Sequence, residues 1–291
     1  MAVLLFPGQG SQSVGMGKVL CEEYPSAEEW LSQADAILDF NLSEIMKEGD
    51  AEELKKTSVT QPAILVNSFI RYKLNQSAVN PSSVAGHSLG EFTALIANGC
   101  LSFEQALKLV LVRANAMQAA CDNTEGTMAA ILGMEDKQVE DLCSSNDASV
   151  VVAANYNCPG QLVISGAVTG IEAVVEQAKE AGARRALILP VNGAFHSPLM
   201  EPAKLALQAA INETNFEEPK IPIYQNVTGR KETDPEVIKN NLIAQLTSPV
   251  LWTQSMQNMI ADGEDNFIEF GAKVLSGFIK KVDRKLPVTQ Y

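Results

Sequence analysis

A serine between two glycines is the strongest chemical signal in the chain, because residues 86–90 read GHSLG. The pattern predicts that Ser88 lies in a tight turn between a strand and a helix, where the flanking glycines let the two elements approach closely. The free N–H groups of a helix that begins at Leu89 could stabilise an oxyanion beside the serine. The pattern therefore predicts a nucleophile for acyl chemistry; a serine that only caps the helix is the alternative.

A serine hydroxyl is a weak nucleophile without a base, and the chain has two histidines, His87 and His196. His87 is adjacent to Ser88, and successive residues at a strand end point to opposite faces, so His87 is poorly placed to reach the hydroxyl. His196 lies in a predicted loop before a helix opened by Pro198, and catalytic residues concentrate in such loops. We therefore predict His196 as the base, with a purely structural histidine as the alternative.

One arginine lies on the apolar side of a predicted helix. In the helix that begins at Ser102, Arg113 follows Val110 by three residues and precedes Met117 by four, so it shares their apolar stripe. A buried guanidinium needs a partner, because an unpaired buried charge is very costly. The spacing leaves open a salt bridge to an internal carboxylate, a side chain that reaches the surface, and a bidentate site for a ligand carboxylate.

A glycine-rich loop follows the first predicted strand, where residues 7–12 read PGQGSQ. A dinucleotide loop would need a third glycine where the chain has Ser13, which argues against a nucleotide site. A glycine-rich turn at this place can instead bring a backbone N–H close to the nucleophile. Together with the N–H of Leu89, such a group would form an oxyanion hole.

These residues must be positioned by an α/β fold, because apolar runs of strand length alternate with segments of helical period. The order of elements changes to βαββαβ in the middle of the chain, which is typical of a ferredoxin-like unit. We predict a large α/β-hydrolase-like domain with a mostly parallel sheet over 1–124 and 193–291. A small ferredoxin-like subdomain is inserted at 125–192.

The composition argues against several classes of function. The 291 residues carry a net charge of −13, which disfavours binding to nucleic acid. No apolar stretch approaches the length needed to span a membrane. The five cysteines form no CxxC pair and are odd in number, which fits free thiols in a reducing cytoplasm.

With these residues assembled, the chain resembles the malonyl-CoA:acyl carrier protein transacylase family of bacterial fatty-acid synthesis. The resemblance extends over nearly the whole chain. The matching segments are FPGQGSQ (6–12), GHSLGE (86–91), Arg113 with Met117, NYNCPGQ (155–161), GAFHS (193–197), NVTG (226–229), and Gln245 through SPV (248–250) to Trp252. One segment departs from the family pattern at 271–275, where GAKVL is one residue shorter than the usual GPGxVL.

The resemblance implies a role for each residue of the reaction centre. Ser88 would carry the acyl group and His196 would be its base. Gln9 and Leu89 would supply the N–H groups of the oxyanion hole. Gln245 would orient His196 by accepting a hydrogen bond at its main-chain carbonyl, where a catalytic triad would have an aspartate.

The resemblance also implies the substrate contacts and the activity. Arg113 would pair with the free carboxylate of malonate, while Met117, Gln161 and Phe195 would contact the substrate; Phe195 is typical of members that select malonyl over methylmalonyl groups. The implied enzyme is a malonyl-CoA:acyl carrier protein S-malonyltransferase. It would transfer malonyl from coenzyme A to the phosphopantetheine thiol of acyl carrier protein through a malonyl-Ser88 intermediate. We expect a monomer that needs no metal and no bound cofactor.

Other functions share the serine turn. A thioesterase or a patatin-like hydrolase would also use GHSLG, and a patatin-like dyad would need an aspartate, for which Asp262 is the only candidate. A non-catalytic module that binds carrier protein is a third possibility, against which the presence of both Ser88 and His196 argues.

Overall fold

The computed structural model describes residues 1–146 and 149–291. Within these ranges the strands form a six-stranded sheet and a four-stranded sheet. The strands are β1 (Ala2–Phe6), β2 (Pro81–Gly86), β3 (Gly126–Leu132), β4 (Val151–Cys158), β5 (Gln161–Ala167), β6 (Arg185–Ile188), β7 (Ile223–Tyr224), β8 (Lys231–Glu232), β9 (Phe267–Glu269) and β10 (Val288–Gln290).

Helices connect and cover these strands. They are α1 (Met16–Glu23), α2 (Ala27–Leu38), α3 (Leu42–Glu48), α4 (Ala51–Lys55), α5 (Thr57–Asn75), α6 (Gly90–Ala97), α7 (Phe103–Asn123), α8 (Asp136–Ser144), α9 (Val168–Glu180), α10 (Glu201–Glu213), α11 (Pro235–Ala244), α12 (Trp252–Ala261) and α13 (Leu275–Val282). Single 3-10 turns lie at Gln76–Ala78, Pro198–Met200 and Gln245–Thr247. In the part of the chain that the structure describes, no helix combines the length and the apolar character that crossing a membrane requires.

The six-stranded sheet has the order β10-β9-β1-β2-β7-β8, and its strand pairs are parallel except for β7 with β8. Strand β1 is buried along its whole length, as expected for a strand covered by helices on both faces. In the register of β1 with β2, Phe6 lies beside Gly86 at the carboxyl ends of the two strands. Ligands of open α/β sheets bind beyond such carboxyl ends.

The four-stranded sheet is antiparallel and has the order β4-β5-β3-β6. Helices α8 and α9 pack on it and enclose a separate apolar core that includes Ile131, Ile164 and Val174. The predicted fold class is therefore confirmed: a large α/β unit with a mostly parallel sheet is accompanied by a smaller βαββαβ unit. The elements of the smaller unit run from Gly126 to Ile188, and the predicted limits at 125 and 192 stay predictions.

The shortened segment at 271–275 still leads into a well-formed helix. The carboxylate of Glu269, at the end of β9, accepts hydrogen bonds from the main-chain N–H groups of Val274, Leu275 and Ser276 at 2.9, 2.7 and 2.9 Å. An anionic side chain at this position satisfies the free N–H groups of α13 and complements the helix dipole. The departure from the family pattern therefore leaves the start of α13 intact.

Candidate active site

The serine turn, residues 86–90, joins β2 to α6 in a conformation that only particular residues allow. Ser88 has a φ of 52°, which is uncommon for a residue with a Cβ and is typical of strained functional turns. A Cβ at Gly86 would lie 1.9 Å from the carbonyl carbon of Gly90, and a Cβ at Gly90 would lie 2.0 Å from the carbonyl oxygen of Phe6. Glycine is therefore required at both positions, and the turn holds Ser88 at the carboxyl edge of the large sheet.

The structure brings Ser88 and His196 together, although 108 positions separate them in the chain. The Ser88 hydroxyl lies 2.8 Å from Nε2 of His196, and Nδ1 of His196 donates to the main-chain oxygen of Gln245 at 2.8 Å. Because a carbonyl can only accept, this contact places the ring proton on Nδ1 and leaves Nε2 free to accept the serine proton. The predicted pairing of serine, histidine and Gln245 carbonyl is thus present in the geometry.

Burial lowers the pKa of His196 to about 3, and the neighbouring charge of Arg113 acts in the same direction. The imidazole is therefore neutral at neutral pH, as a proton acceptor must be. His87 also lines the cavity at Ser88, but its ring is engaged by other residues: its Nε2 lies 2.8 Å from Oδ1 of Asn157, and it packs against Trp252.

Arg113 lies beside the same hydroxyl and is 1% exposed. Its guanidinium donates to Oε1 of Gln61 at 2.6 Å, to Oγ of Ser88 at 2.9 Å and to Oε1 of Gln245 at 3.2 Å. These partners are all neutral, and none of the ion pairs found in residues 1–146 and 149–291 includes Arg113. Among the described residues, neither a direct salt bridge nor a surface position accounts for this buried cation, although the buried carboxylate of Glu91 favours its charge from beyond ion-pair distance.

Ser88, Arg113 and His196 share the wall of a cavity of about 160 Å³. The apolar part of the wall comes from both units of the fold, including Met128 and Val163 from the smaller sheet. A wider cavity of about 550 Å³ shares four lining residues with it. These shared residues are Gln9, Leu189, Val191 and Phe195. The small cavity therefore adjoins a larger cleft from which a substrate could extend.

The glycine-rich loop after β1 touches the serine turn, because a Cβ at Gly8 would lie 2.3 Å from the carbonyl oxygen of His87. Gln9 lines the small cavity. Among the described residues, no acceptor is found for the main-chain N–H of Gln9 or of Leu89. Two unpaired N–H groups on adjoining segments match the predicted oxyanion-hole arrangement.

The remaining predicted substrate contacts fall into two groups. Met117 and Phe195 line the small cavity, and the sulfur of Met117 accepts from Nε2 of Gln61 at 3.3 Å. Gln161 begins β5, is half-buried, and its Oε1 accepts from the thiol of Cys158 at 3.8 Å. Gln161 is not one of the described residues that line the cavity, so its substrate contact stays a prediction.

Two buried polar residues support the serine turn and were not singled out by spacing. Asn226 accepts from the main-chain N–H of Ser88 at 2.6 Å and donates to the carbonyl of Gly86 at 2.7 Å. Glu91, on the first turn of α6, accepts from the main-chain N–H of Asn226 and from Nε2 of Gln245. An acid three residues after Ser88, at the start of a mostly apolar helix, was the available signal for Glu91.

A serine on a strained turn, a neutral histidine in contact with it and two free N–H groups nearby form the arrangement of enzymes that move acyl groups through a serine ester. The α/β scaffold and the position of the site beyond β1 and β2 agree with this class.

Comparison with known proteins identifies the family. The chain belongs to the acyl transferase domain family, whose profile matches residues 3–286. It is 46% identical over 287 residues to the malonyl CoA-acyl carrier protein transacylase of Bacillus subtilis (strain 168), covering 97% of this chain and 90% of the relative. The transacylase of the same name from Staphylococcus aureus (strain MRSA252) is 42% identical over 289 residues, covering 98% of this chain and 94% of the relative.

Solved structures of similar proteins have the same fold. The acyl-carrier-protein S-malonyltransferase of Burkholderia pseudomallei 1710b is 41% identical and superposes with a TM-score of 0.95, covering 100% of this chain and 96% of that one. A malonyl-transacylase in complex with its type II PKS acyl-carrier protein is 35% identical, with a TM-score of 0.96 and coverage of 99% and 95%.

Proposed function

We propose that this chain transfers a malonyl group from coenzyme A to the phosphopantetheine thiol of acyl carrier protein, through a malonyl-Ser88 intermediate. One observation carries the choice of acyl group: a buried guanidinium that makes no ion pair with any described carboxylate shares a small cavity with the Ser88 hydroxyl. The names of the relatives, which are transacylases for malonyl and acyl carrier protein, support the same substrate and partner.

In the first half of the reaction, Oγ of Ser88 attacks the thioester carbonyl while its proton passes to Nε2 of His196, which lies 2.8 Å away. The Gln245 carbonyl, already bound to Nδ1, stabilises the imidazolium that forms. The main-chain N–H groups of Gln9 and Leu89 hold the developing oxyanion. When the tetrahedral intermediate collapses, the C–S bond breaks and His196 returns the proton to the thiolate of coenzyme A.

In the second half, the carrier thiol attacks the carbonyl of malonyl-Ser88 and its proton passes to His196. The C–O bond to Ser88 then breaks, and His196 returns the proton to the serine oxygen. The same groups therefore serve both halves, which gives a ping-pong sequence. His196 carries the proton in each half of this cycle, and that neither a metal nor a bound cofactor takes part stays a prediction.

Selection of malonyl follows from the same cavity. A carboxylate two bonds beyond the reacting carbonyl can accept two parallel hydrogen bonds from Arg113, which stabilises both its charge and its orientation. The volume of about 160 Å³ suits a short acyl group, and the ring of Phe195 limits the space for a branch.

A hydrolase is the alternative, and the surroundings of the only candidate aspartate disfavour a patatin-like dyad. The carboxylate of Asp262 accepts from the hydroxyl of Tyr224 at 2.6 Å and pairs with Lys231 at 3.1 Å. A histidine-based thioesterase would have the same Ser88 and His196, so the fate of the acyl-enzyme must separate it from a transferase.

The test is to mix the enzyme with malonyl-CoA in buffer, with and without the thiol form of acyl carrier protein. A transferase should release about one equivalent of coenzyme A and stop, and added carrier protein should restart the release and become malonylated. Continuous release of coenzyme A and free malonate without a carrier would identify a thioesterase instead.

We also propose that the chain acts in the cytoplasm as a monomer. The five cysteines, Cys21, Cys100, Cys121, Cys143 and Cys158, are all free, which supports a reducing compartment. Light scattering of the purified chain would test the monomer directly, because a dimer would double the measured mass.

A further inference from the structure

Glu91 is a buried acid close to the reacting groups that the reaction as proposed does not use. Its residue is 1% exposed, and its two carboxylate oxygens accept from different donors: the main-chain N–H of Asn226 and Nε2 of Gln245. Burial raises the pKa of Glu91 to about 8, while these two donors and the charge of Arg113 oppose the shift. Burying a carboxylate costs free energy. Its presence here indicates that the surrounding hydrogen-bond network depends on its charge or on its two acceptor oxygens.

The first donor leads to the serine turn. Asn226 is fully buried and spans the turn, accepting from Ser88 N at 2.6 Å and donating to Gly86 O at 2.7 Å. Because Glu91 accepts from the main chain of Asn226, it fixes the position from which that side chain reaches both ends of the turn. The unusual φ of Ser88 is therefore stabilised by the Glu91–Asn226 pair.

The second donor leads to the histidine. Nε2 of Gln245 donates to Glu91 and to the carbonyl of Ser88 at 3.0 Å, and Oε1 of Gln245 accepts from Arg113. The main-chain oxygen of the same residue accepts from His196. The acceptor at Glu91 therefore determines which end of the Gln245 amide faces Ser88 and which faces Arg113.

We propose that Glu91 is a positioning residue for acyl transfer: its carboxylate holds Asn226 and Gln245, and through them it sets the Ser88 turn and the His196 ring. The inference rests on the proposed function, because it requires Ser88 to be the acylated residue. Replacing Glu91 by Gln keeps the size but removes the charge and leaves one side-chain acceptor for two donors. The amide of Gln245 then loses its fixed orientation, while the acyl-binding cavity keeps its walls.

The test uses the full chain and one turnover with malonyl-CoA, followed by release of coenzyme A and by the mass of the Ser88 adduct. Above about pH 8, where Glu91 is ionised, Glu91→Gln should slow acylation at saturating malonyl-CoA by about 10- to 100-fold, the effect of losing one charge-assisted hydrogen bond. The half-saturating concentration should stay within about twofold, and acetyl-CoA should be slowed by the same factor, because Glu91 does not touch the acyl group. Glu91→Asp, which keeps the charge, should recover part of the rate.

Glu104→Gln is the matched control, because Glu104 is exposed on the first turn of α7 and pairs with the exposed Lys108. Its rate should equal that of the wild type. A wild-type acylation rate in Glu91→Gln, or a loss confined to malonyl-CoA, overturns the inference. If Glu91→Gln does not fold, Glu91→Asp carries the test: a wild-type rate in that variant overturns the inference, and a slower rate at unchanged half-saturation supports it. A wild-type enzyme that forms no adduct on Ser88 would instead refute the proposed function.

Discussion

Arg113 offers the sharpest test of substrate selection. Its guanidinium is 1% exposed and donates to three neutral oxygen atoms, on Gln61, Ser88 and Gln245. A malonyl carboxylate would give this guanidinium a directly bound charged partner in a cavity of about 160 Å³, where little water can replace it. Truncating one member of such a buried charge pair costs about 2–5 kcal/mol. We therefore expect Arg113→Ala to lower kcat/KM for malonyl-CoA by about 30- to 5,000-fold.

The same substitution should leave an uncharged acyl group nearly unaffected. Acetyl-CoA has no carboxylate, so its acylation rate should change by no more than about threefold. The base also remains available, because the charge of Arg113 lowers the pKa of His196 and its removal makes the imidazole more basic. Arg113→Lys should lie between the two, since an ammonium keeps the charge but lacks the planar fork that binds both carboxylate oxygens.

The assay is a parallel single-turnover measurement with malonyl-CoA and acetyl-CoA, following thiol release for the wild type and both variants. The expected result is a large loss of preference for malonyl over acetyl. Melting curves would show that the variants are folded. An equal loss for the two donors would refute the assigned role, because it would mean that Arg113 supports the serine or the fold and does not bind the carboxylate.

Further predictions concern pH, the serine turn and the acyl cavity. Burial lowers the pKa of His196 to about 3, so this imidazole stays neutral over the working pH range. Burial raises the pKa of Glu91 to about 8, although the charge of Arg113 opposes this shift. The single-turnover rate should therefore rise with pH around 8 as Glu91 ionises. This rise should vanish in Glu91→Gln; a rise near pH 6.5 that persists in the variant would contradict it. Gly90→Ala should lower the free energy of unfolding in urea by about 3 kcal/mol, because its Cβ would lie 2.0 Å from the Phe6 carbonyl oxygen. Gly277→Ala in α13, where nothing lies within 4 Å, should raise it by about 0.5–1 kcal/mol, and equal effects would disprove the steric argument. Phe195→Ser should increase the ratio of methylmalonyl to malonyl transfer about tenfold in a competition assay, and an unchanged ratio would remove Phe195 from substrate selection.

The fold class could be predicted because the strands at its centre are long and strongly patterned. Strand β1 is five apolar residues closed by Pro7 and Gly8, and the βαββαβ order of the smaller unit spans enough residues for its periods to be read. The short strands β7, β8 and β10 have two or three residues each, which is too few for any period to appear. They form because neighbouring strands offer free backbone groups, and this is a property of the assembled sheet.

The site residues also differ in whether the sequence alone could predict them. Ser88 could be predicted because its turn needs glycines two residues before and after it. His196 could be predicted because the chain has only two histidines. The sequence placed Arg113 on the apolar face of a helix, but its spacing could not decide between a salt bridge, a surface position and a ligand carboxylate. Glu91 and Asn226 act through contacts 135 positions apart in the chain, and no local pattern encodes such a pairing.

The central claim is that the Ser88 hydroxyl, with His196 as its base, carries the malonyl group. The most direct measurement is mass spectrometry of the wild type and of Ser88→Ala after brief exposure to malonyl-CoA, with the modified peptide sequenced. We predict one malonyl group on residue 88 of the wild type and none on the variant. A malonyl adduct that persists in Ser88→Ala, or that maps to another residue in the wild type, would contradict the account.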